Sequence, residues 1–222
     1  MSGPASEGEA WERVTGMLGE GRKLLGSHWT FNLWNDPKRL AFVLSRYKFA
    51  AKMACRGRSV LELGCSEGIG APILAELATR YVGVDIDAPA VEAARANWTD
   101  GRFEFVAADF LGESLGAFES VVSLDVIEHI QPDYEDLFLE TIEKNLAGDG
   151  IAVIGTPNAT SEQYASPLSR EGHVNLYDHD RLRASLGQLF HNVFMFGIND
   201  EVVHTGYAPM CHYLVAVGCY RR

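Results

Sequence analysis

The sequence predicts an α/β fold in which a doubly wound, mostly parallel sheet is covered by helices on both faces. From Arg58 onward, short apolar segments typical of strands alternate with segments of helical spacing. The last two strand segments have no helix between them, so we expect the final strand to pair antiparallel at the end of the sheet. The 222 residues, of which 47% are apolar and 22% charged, suit one globular domain with a modest extension.

The N-terminal part of the chain predicts a helical extension. An amphipathic helix is expected over about residues 9–25, although three glycines weaken it. The aromatic stretch HWTFNLW ends at a turn, residues 35–37, from which a further helix should run to about Ala54. We expect residues 1–37 to form an extension or cap and residues 38–222 to form the main domain. The aromatic side chains either anchor the extension on the core or cover a ligand.

The main domain supplies the strands and helices of the sheet. Seven segments have the short apolar pattern of strands: 59–63, 80–85, 103–107, 119–124, 150–155, 191–196 and 211–219. Helical stretches occupy about 69–78, 88–97, 133–146 and 178–188. Strands that run in one direction have their carboxyl ends at one edge, and open parallel sheets bind ligands at that edge.

A glycine-rich turn separates the first strand from the helix that follows it, in the segment VLELGCSEGIG. Gly64 and Gly68 let the backbone approach a ligand, and the first N–H groups of a helix have no backbone partner. Asp85 ends the second strand, 21 residues after Gly64, where a carboxylate can accept hydrogen bonds from both ribose hydroxyls. These features predict a ligand that contains a nucleoside.

The spacing of the glycines argues against a dinucleotide. Gly64, Gly68 and Gly70 give the pattern G-x-x-x-G-x-G, whereas the dinucleotide fingerprint is G-x-G-x-x-G. Glu62 lies at the strand end, where a carboxylate would repel a phosphate and attract an ammonium group. A ligand with adenine, ribose and an amino acid but no phosphate fits better, and S-adenosyl-L-methionine is such a ligand. A nicotinamide oxidoreductase is therefore the disfavoured alternative.

Four motifs, VLELGCSEG, YVGVDID, FVAADF and VVSLDVIEHI, resemble in this order those of the class I S-adenosylmethionine-dependent methyltransferases. The resemblance runs from about Leu40 onward and includes the ubiquinone-pathway O-methyltransferase branch. It implies a Rossmann-like, seven-stranded sheet with an antiparallel last strand. It also implies an enzyme that binds S-adenosyl-L-methionine through residues 38–222.

The resemblance assigns cofactor contacts to residues near the carboxyl ends of the strands. Glu62 and the glycine loop would hold the methionine end, Asp85 the ribose, and Asp109 the adenine amino group. Arg46 or its neighbour Tyr47 would reach the cofactor carboxylate. Asp85 has an alternative role as the cap of the next helix. The full set is Arg46, Glu62, Gly64, Cys65, Gly68, Asp85, Ile86, Asp109, Phe110 and Leu124.

The motif LDVIEHI places Asp125, Glu128 and His129 just after the fourth strand, where acceptor chemistry begins in the family. Methyl transfer is an in-line displacement, and a histidine beside a carboxylate suits removal of a proton from a hydroxyl. We therefore expect His129, oriented by a neighbouring carboxylate such as Glu128, and His173 from a loop to be catalytic. That loop, from Asn158 to Tyr177, is about 20 residues long and predicts an acceptor lid.

Two other interpretations of this motif stay open. The motif has an acid, a second acid and a histidine at positions i, i+3 and i+4, and His173 lies further along the chain. This arrangement is similar to the metal-binding pattern of small-RNA 3′-end methyltransferases. Asp125, Glu128, His129 and His173 are thus a candidate set for a divalent metal ion, although Asp125 stands where the pattern has a longer glutamate. The segment could instead be a structural turn.

Composition limits the partners. The net charge of −11, the pI near 5.0 and the lack of a Lys/Arg run disfavour nucleic acid and anionic lipid. No signal peptide, CxxC pair or apolar run of about 20 residues is visible, so we expect a cytoplasmic protein without a membrane helix. We expect a monomer or homodimer that methylates an oxygen of a small metabolite, sugar derivative or natural product. The alternatives are an N-methyltransferase, an RNA 2′-O-methyltransferase and a non-catalytic cofactor-binding protein.

Overall fold

The computed structural model describes residues 6–18 and 21–222. Within these residues, eight strands form one sheet. They are β1 (Ser59–Leu63), β2 (Arg80–Asp85), β3 (Phe103–Ala107), β4 (Phe118–Leu124), β5 (Leu146–Pro157), β6 (Phe190–Asn199), β7 (Val202–His204) and β8 (Tyr213–Arg221). Their spatial order is β3-β2-β1-β4-β5-β8-β6-β7.

The helices flank this sheet and precede it. Those of the described residues are α1 (Glu7–Leu18), α2 (Ser27–Asn35), α3 (Lys38–Ala50), α4 (Ala71–Leu77), α5 (Ala88–Asn97), α6 (Glu135–Asn145), α7 (Pro167–Gly172) and α8 (His179–Gly187). A π-helical turn, Ala51–Cys55, continues α3 toward β1. None of the described helices is long and apolar enough to cross a membrane.

The predicted α/β fold is confirmed, with two corrections to the sheet. β3, β2, β1, β4 and β5 are parallel, and β8 is antiparallel to both of its neighbours, β5 and β6. The last strand is thus antiparallel as expected, but it lies inside the sheet rather than at its end. Its residues Tyr213–Val217 are all buried, which fits a central position. The sequence predicted seven strands, and the additional one is β7, which forms a short hairpin with β6.

The strand order reverses between β1 and β4, which are parallel neighbours. From β1 the chain proceeds to β2 and β3 on one side, and it then returns to β4 on the other side. Such a reversal leaves a crevice at the carboxyl ends of the two strands. Side chains alternate across the sheet, so Leu61 and Leu63 pack with α6 and α8, whereas Val60 belongs to the core below α3 and α4. Glu62 shares the side of Val60.

The N-terminal extension differs in detail from the prediction. α1 ends at Leu18, and the next two residues of the predicted 9–25 helix lie outside the described residues. The aromatic stretch is itself a helix, α2, and it buries Trp29 while Phe31 and Trp34 stay exposed.

The lid predicted at residues 158–177 contains a 3₁₀ segment, Ala159–Tyr164, and α7 rather than an irregular loop. The domain boundary at residue 37 stays a prediction.

Candidate functional site

An open cavity of about 110 Å³ lies at the carboxyl ends of β1 and β4. The glycine loop, the end of β4 and its following turn, the N-terminal helices and the lid each contribute to its walls. The lining residues are His28, Trp29, Arg39, Val43, Tyr47, Gly64, Cys65, Ser66, Ile69, Leu124, Asp125, Glu128, His129 and His173. The cavity thus occupies the crevice where open α/β sheets hold their ligands.

Close packing of the glycine loop explains two of its glycines. Gly64 has a φ of +79°, which favours glycine, and a Cβ there would lie 2.2 Å from Val126 Cγ2. A Cβ on Gly70 would lie 2.0 Å from the ring of Tyr47. The loop backbone is therefore pressed against its neighbours while Cys65 and Ser66 line the cavity. The loop therefore forms a backbone cradle at the wall of the cavity.

Glu62 does not face the cavity, which corrects the expected direct contact with the ligand. The side chain is only 1% exposed, and its carboxylate accepts hydrogen bonds from the hydroxyls of Tyr47, at 2.7 Å, and Tyr81. Burial raises the pKa of Glu62 to about 7. Glu62 therefore ties α3 to β1 and β2 from behind the glycine loop. Tyr47 lies between the acid and the cavity, where its ring forms part of the wall.

The residues assigned to the ribose and adenine lie along the open edge beyond β2 and β3. Asp85 accepts hydrogen bonds from the backbone N–H groups of Ser66, at 2.7 Å, and Asp87, at 2.9 Å. Asp87, not Asp85, caps α5, which removes the alternative role for Asp85. The side chain of Ile86 is 68% exposed and Asp109 is exposed as well, so both are accessible to a ligand.

Two further residues of the predicted set are buried at this edge. Phe110 belongs to the core that packs with α6, and Leu124, the last residue of β4, lines the cavity. Gly68 has a φ of +70° and completes the turn into α4. The structure thus brings the residues of the glycine loop and the ends of β2, β3 and β4 to one edge of the sheet.

Arg46 is held by Asp125, which corrects two expectations. Its Nη1 lies 2.8 and 3.0 Å from the two carboxylate oxygens of Asp125, and its guanidinium carbon lies 3.7 Å from the ring centre of Tyr213. Arg46 is therefore engaged with a protein carboxylate and does not line the cavity. Asp125 in turn is neutralised by an arginine, so the metal set loses its first acid.

The turn after β4 brings Glu128, His129 and His173 together. One potential ligand atom from each lies within 4.8 Å of those of the other two, and the imidazole rings are 5.1 Å apart. Glu128 is fully buried, and the hydroxyl of Thr156 donates to its Oε2 at 3.0 Å. Burial, with the charge of Asp125, raises the pKa of Glu128 to about 8. The three side chains offer a divalent cation one carboxyl and two imidazoles.

A backbone carbonyl fixes the tautomer of His129. Its Nδ1 lies 2.8 Å from the carbonyl oxygen of Gly172, at the end of α7. Because a carbonyl only accepts, Nδ1 carries the proton and Nε2 keeps a lone pair in the neutral ring. The expectation that Glu128 or Asp125 orients His129 is therefore corrected. Glu128 acts on the lid instead, since its backbone oxygen accepts from the N–H groups of Val174 and Asn175 at 2.9 and 3.0 Å.

The N-terminal helices contribute His28 and Arg39, which the sequence did not predict, and Trp29, one of the aromatic residues expected either to anchor the extension or to cover a ligand. His28 and Trp29 belong to α2, and Arg39 lies in the first turn of α3. The carboxylate of Glu67, in the glycine loop, accepts from the backbone N–H groups of His28 and Trp29 at 2.8 and 3.0 Å. This pair of bonds joins the first turn of α2 to the glycine loop. In the sequence, only the aromatic pattern of HWTFNLW indicated that this segment could cover a ligand site.

A second, larger cavity of about 480 Å³ opens between α2 and α7. It shares four lining residues with the first cavity, so the two cavities adjoin and together are called the groove. Its lining residues are His28, Phe31, Asn32, Asn35, Asp36, Arg39, His129, Ser166, Pro167, Leu168, Ser169 and His173. The groove extends from the glycine loop past His129 to the lid.

The chain is similar in sequence to known methyltransferases. A family model described as "Methyltransferase domain" matches residues 36–191. A "Probable S-adenosylmethionine-dependent methyltransferase" of Mycolicibacterium smegmatis is 35% identical over 106 residues, which are 47% of this chain and 40% of that protein. A "Ubiquinone biosynthesis O-methyltransferase" of Caulobacter vibrioides is 31% identical over 141 residues, covering 59% of this chain and 55% of that protein. The chain spans about half the length of these relatives.

The fold is also shared with solved structures. A TehB-like SAM-dependent methyltransferase from Corynebacterium glutamicum aligns with a TM-score of 0.62 and 17% identity, over 96% of this chain and 95% of that chain. At this identity the likeness concerns the fold alone. It extends over the N-terminal helices as well as the sheet.

Proposed function

Because this chain belongs to the S-adenosylmethionine-dependent methyltransferase family, we propose that it methylates an oxygen of a small metabolite, sugar derivative or natural product. The observation that carries the choice of oxygen is the position of His129. It lines the groove directly after β4, and its Nε2 keeps a lone pair because Nδ1 is held by Gly172. A hydroxyl needs such a base, since its proton must leave when the oxygen gains a carbon.

The glycine loop and the strand ends would bind the cofactor. Cys65 and Ser66 line the cavity beside the backbone cradle, Asp85 would accept from the ribose, and Asp109 and Ile86 would face the adenine. When bound, the cofactor supplies a methyl group on a sulfonium, and the electron pair of the broken C–S bond stays on sulfur.

The turn after β4 would handle the acceptor. His129 Nε2 would take the hydroxyl proton as the new O–C bond forms. Glu128, whose pKa is raised to about 8, is largely protonated at neutral pH and adds no charge beside the base. The lid orients His129, because Gly172 holds Nδ1 and the Glu128 carbonyl holds the segment that follows α7. Trp29 and α2 cover the groove from the other side and limit the access of water.

The proposal is tested in two steps. Calorimetry with S-adenosylhomocysteine should show binding to the purified protein, and failure to bind would contradict the cofactor site.

A panel of phenols, catechols, hydroxy acids and sugars with S-adenosylmethionine should then show product formation. His129→Ala should lower turnover by about 100-fold or more, with little change in cofactor affinity. His191→Ala, on an exposed residue at the start of β6, is the matched control. Full activity of His129→Ala would contradict the assignment.

A metal-assisted reaction is a second candidate, favoured by the proximity of Glu128, His129 and His173. These residues would hold the ion and orient an acceptor oxygen, as hard and borderline ligands do for Mg²⁺, Mn²⁺ or Zn²⁺. Metal analysis of the purified protein and activity after chelation distinguish it from the metal-independent reaction. We favour the latter because Asp125 is paired with Arg46. An RNA acceptor is disfavoured by the net charge of −11.

A further inference from the structure

The larger cavity, between α2 and α7, is the part of the groove that lies beyond the proposed cofactor contacts. Its volume of about 480 Å³ is in the range of small-molecule sites. Apolar side chains of two elements line it: Phe31 of α2, which is 54% exposed, and Pro167 and Leu168 of the lid. A ligand in this cavity would therefore bury apolar surface against both α2 and the lid.

The face that α2 turns to this cavity is otherwise polar. His28, Asn32 and Asn35 follow one another at i, i+4 and i+7, on one face of the helix, and all three line the cavity. Leu33 and Trp34 lie outside the groove and are 45% and 87% exposed. A surface helix normally buries its apolar residues and exposes its polar ones. The reversed arrangement in α2 is explained by a polar ligand in the cavity.

The two amides of this face have oxygen atoms to offer. Nδ2 of Asn32 donates to the carbonyl oxygen of His28 at 2.9 Å, and Nδ2 of Asn35 donates to that of Phe31 at 2.8 Å. Because a carbonyl only accepts, the nitrogen of each amide is held on the helix and its oxygen is directed elsewhere. Among the residues that the structure describes, neither Oδ1 receives a hydrogen bond. Both oxygens are therefore available to a ligand that carries hydrogen-bond donors.

The permanent charges along this cavity do not require a charged ligand. Asp36, which follows α2, has Lys38 as a neighbour, with 3.9 Å between Oδ1 and Nζ. This separation balances the charge but is too long for a hydrogen bond, so the carboxylate oxygens can still accept from a ligand. Arg39 also borders the smaller cavity, where it would pair with the carboxylate of the bound cofactor. An ammonium group and a second carboxylate are both left without a free counter-charge.

We propose that the methyl acceptor is a neutral sugar in its ring form, whose C–H face packs on Phe31, whose hydroxyls donate to the free amide oxygens of α2, and one of whose hydroxyls reaches Nε2 of His129. The proposal rests on the proposed function and names the class of its acceptor. A sugar ring has apolar C–H groups on its faces and hydroxyl donors around its rim, so it matches both kinds of lining. A phenol would fill the apolar part and leave the amide oxygens without donors.

The reaction at the sugar is balanced by the groups already described. The new O–C bond forms as the C–S bond of the cofactor breaks, and the electron pair of that bond stays on sulfur. The proton of the attacking hydroxyl passes to Nε2 of His129, which keeps a lone pair for it. The remaining hydroxyls only hold the ring in place.

The test compares neutral sugars with other acceptors on the full chain. Methyl glucoside, methyl galactoside and methyl mannoside are assayed with S-adenosylmethionine beside phenol, catechol and glucosamine, and the products are identified by mass spectrometry. Binding is measured by saturation-transfer NMR, with and without S-adenosylhomocysteine. We expect at least one glycoside to bind and to gain a methyl group on oxygen, with a kcat/KM about tenfold or more above phenol and catechol. Maltotriose distinguishes the source, since a lower KM than for methyl glucoside assigns the end of a longer glycan and an equal one a free sugar.

Variants of α2 locate the sugar. Phe31→Ala should raise the KM for the glycoside about tenfold, because the apolar contact is lost, whereas Phe31→Tyr should keep it. Asn35→Ala should raise this KM about fivefold through the loss of one hydrogen bond. Both should leave the KM for S-adenosylmethionine nearly unchanged. Trp34→Ala, on an exposed aromatic residue of the same helix outside the groove, is the matched control and should change neither.

Several outcomes would overturn the inference. These are a failure of every glycoside to bind, binding without methylation, or a preference for phenol, catechol or the cationic glucosamine. Unchanged glycoside KM values in both Phe31→Ala and Asn35→Ala would place the sugar elsewhere. Failure to bind S-adenosylhomocysteine contradicts the proposed function alone, because NMR without the cofactor still tests the cavity. Thermal unfolding of each variant shows whether a loss of binding reflects a loss of the fold.

Discussion

The bonds between Glu67 and α2 allow a quantitative prediction. Glu67 is 7% exposed, and its two carboxylate oxygens accept from the first backbone N–H groups of α2, on His28 and Trp29. A carboxylate at a helix N-terminus satisfies donors that have no partner within the helix and interacts favourably with the helix dipole. Glu67→Ala removes both bonds and leaves two N–H groups without their acceptor. The prediction is that α2 then detaches from the glycine loop more often.

The size of the effect follows from the two contacts. A hydrogen bond to a charged group contributes about 1.5 kcal/mol or more, so two contribute roughly 3 kcal/mol. This free energy corresponds to an increase on the order of 100-fold in the local opening of α2. Glu67→Gln keeps one oxygen acceptor and most of the shape, and it should have an intermediate effect. Glu76→Ala, at an exposed position of α4, is the matched control.

Hydrogen exchange measured by mass spectrometry reports this opening directly. Amides of residues 27–35 should exchange about 100-fold faster in Glu67→Ala, whereas those of β1 and β4 should keep their protection. The affinity for S-adenosylhomocysteine should fall as well, because Trp29 covers the cavity only when α2 is docked. Unchanged exchange in α2 would refute the reasoning. Faster exchange throughout the sheet would show instead that Glu67 stabilises the whole domain.

Three other predictions concern packing, pH and metal. Gly70→Ala should lower the free energy of unfolding by about 1–3 kcal/mol and weaken cofactor binding, because its Cβ would lie 2.0 Å from the ring of Tyr47. Gly101→Ala is the control and should leave the free energy of unfolding unchanged, because there is open space around its Cβ. Equal stability of the two variants would contradict the packing argument. The raised pKa of Glu128, about 8, means that the native state keeps a proton that the unfolded chain releases above about pH 4.5. The stability that this proton provides is lost as the pH rises from about 5 to 8. The free energy of unfolding in urea should therefore fall less steeply over this pH range in Glu128→Gln than in the unaltered protein. An equal fall in both proteins would contradict the prediction. Chelation should leave methyl transfer unchanged, and a loss of activity restored by one divalent metal would favour the metal-assisted reaction.

The sequence predicted the parts of the fold that depend on local patterns. The alternation of apolar segments indicated the sheet, and the glycines between β1 and α4 indicated the ligand edge. The motif after β4 indicated the turn that carries His129. In each case the signal and the structure lie within the same few residues. Periodicity and turn chemistry are therefore sufficient to find them.

The partners of the charged side chains were not predictable in this way. Glu62 is satisfied by Tyr47 and Tyr81, and Arg46 is bound by Asp125, 79 residues further along the chain. These contacts are set by the packing of α3 over the sheet, which leaves no local pattern in the sequence. The sequence around an acid at a strand end is the same whether its side chain faces a ligand or a pair of tyrosines. The site roles carried by the resemblance remain predictions for the same reason.

The central position of β8 has a consequence for folding. The strand joins β5 to β6, yet it follows both of them in the chain. During synthesis, β5 and β6 therefore emerge before the strand that each of them pairs with in the native sheet. Unpaired strand edges recruit foreign strands, and long-range pairing is slow. Substitutions in Tyr213–Val217 should thus reduce the yield of folded protein more than equally buried substitutions in β1.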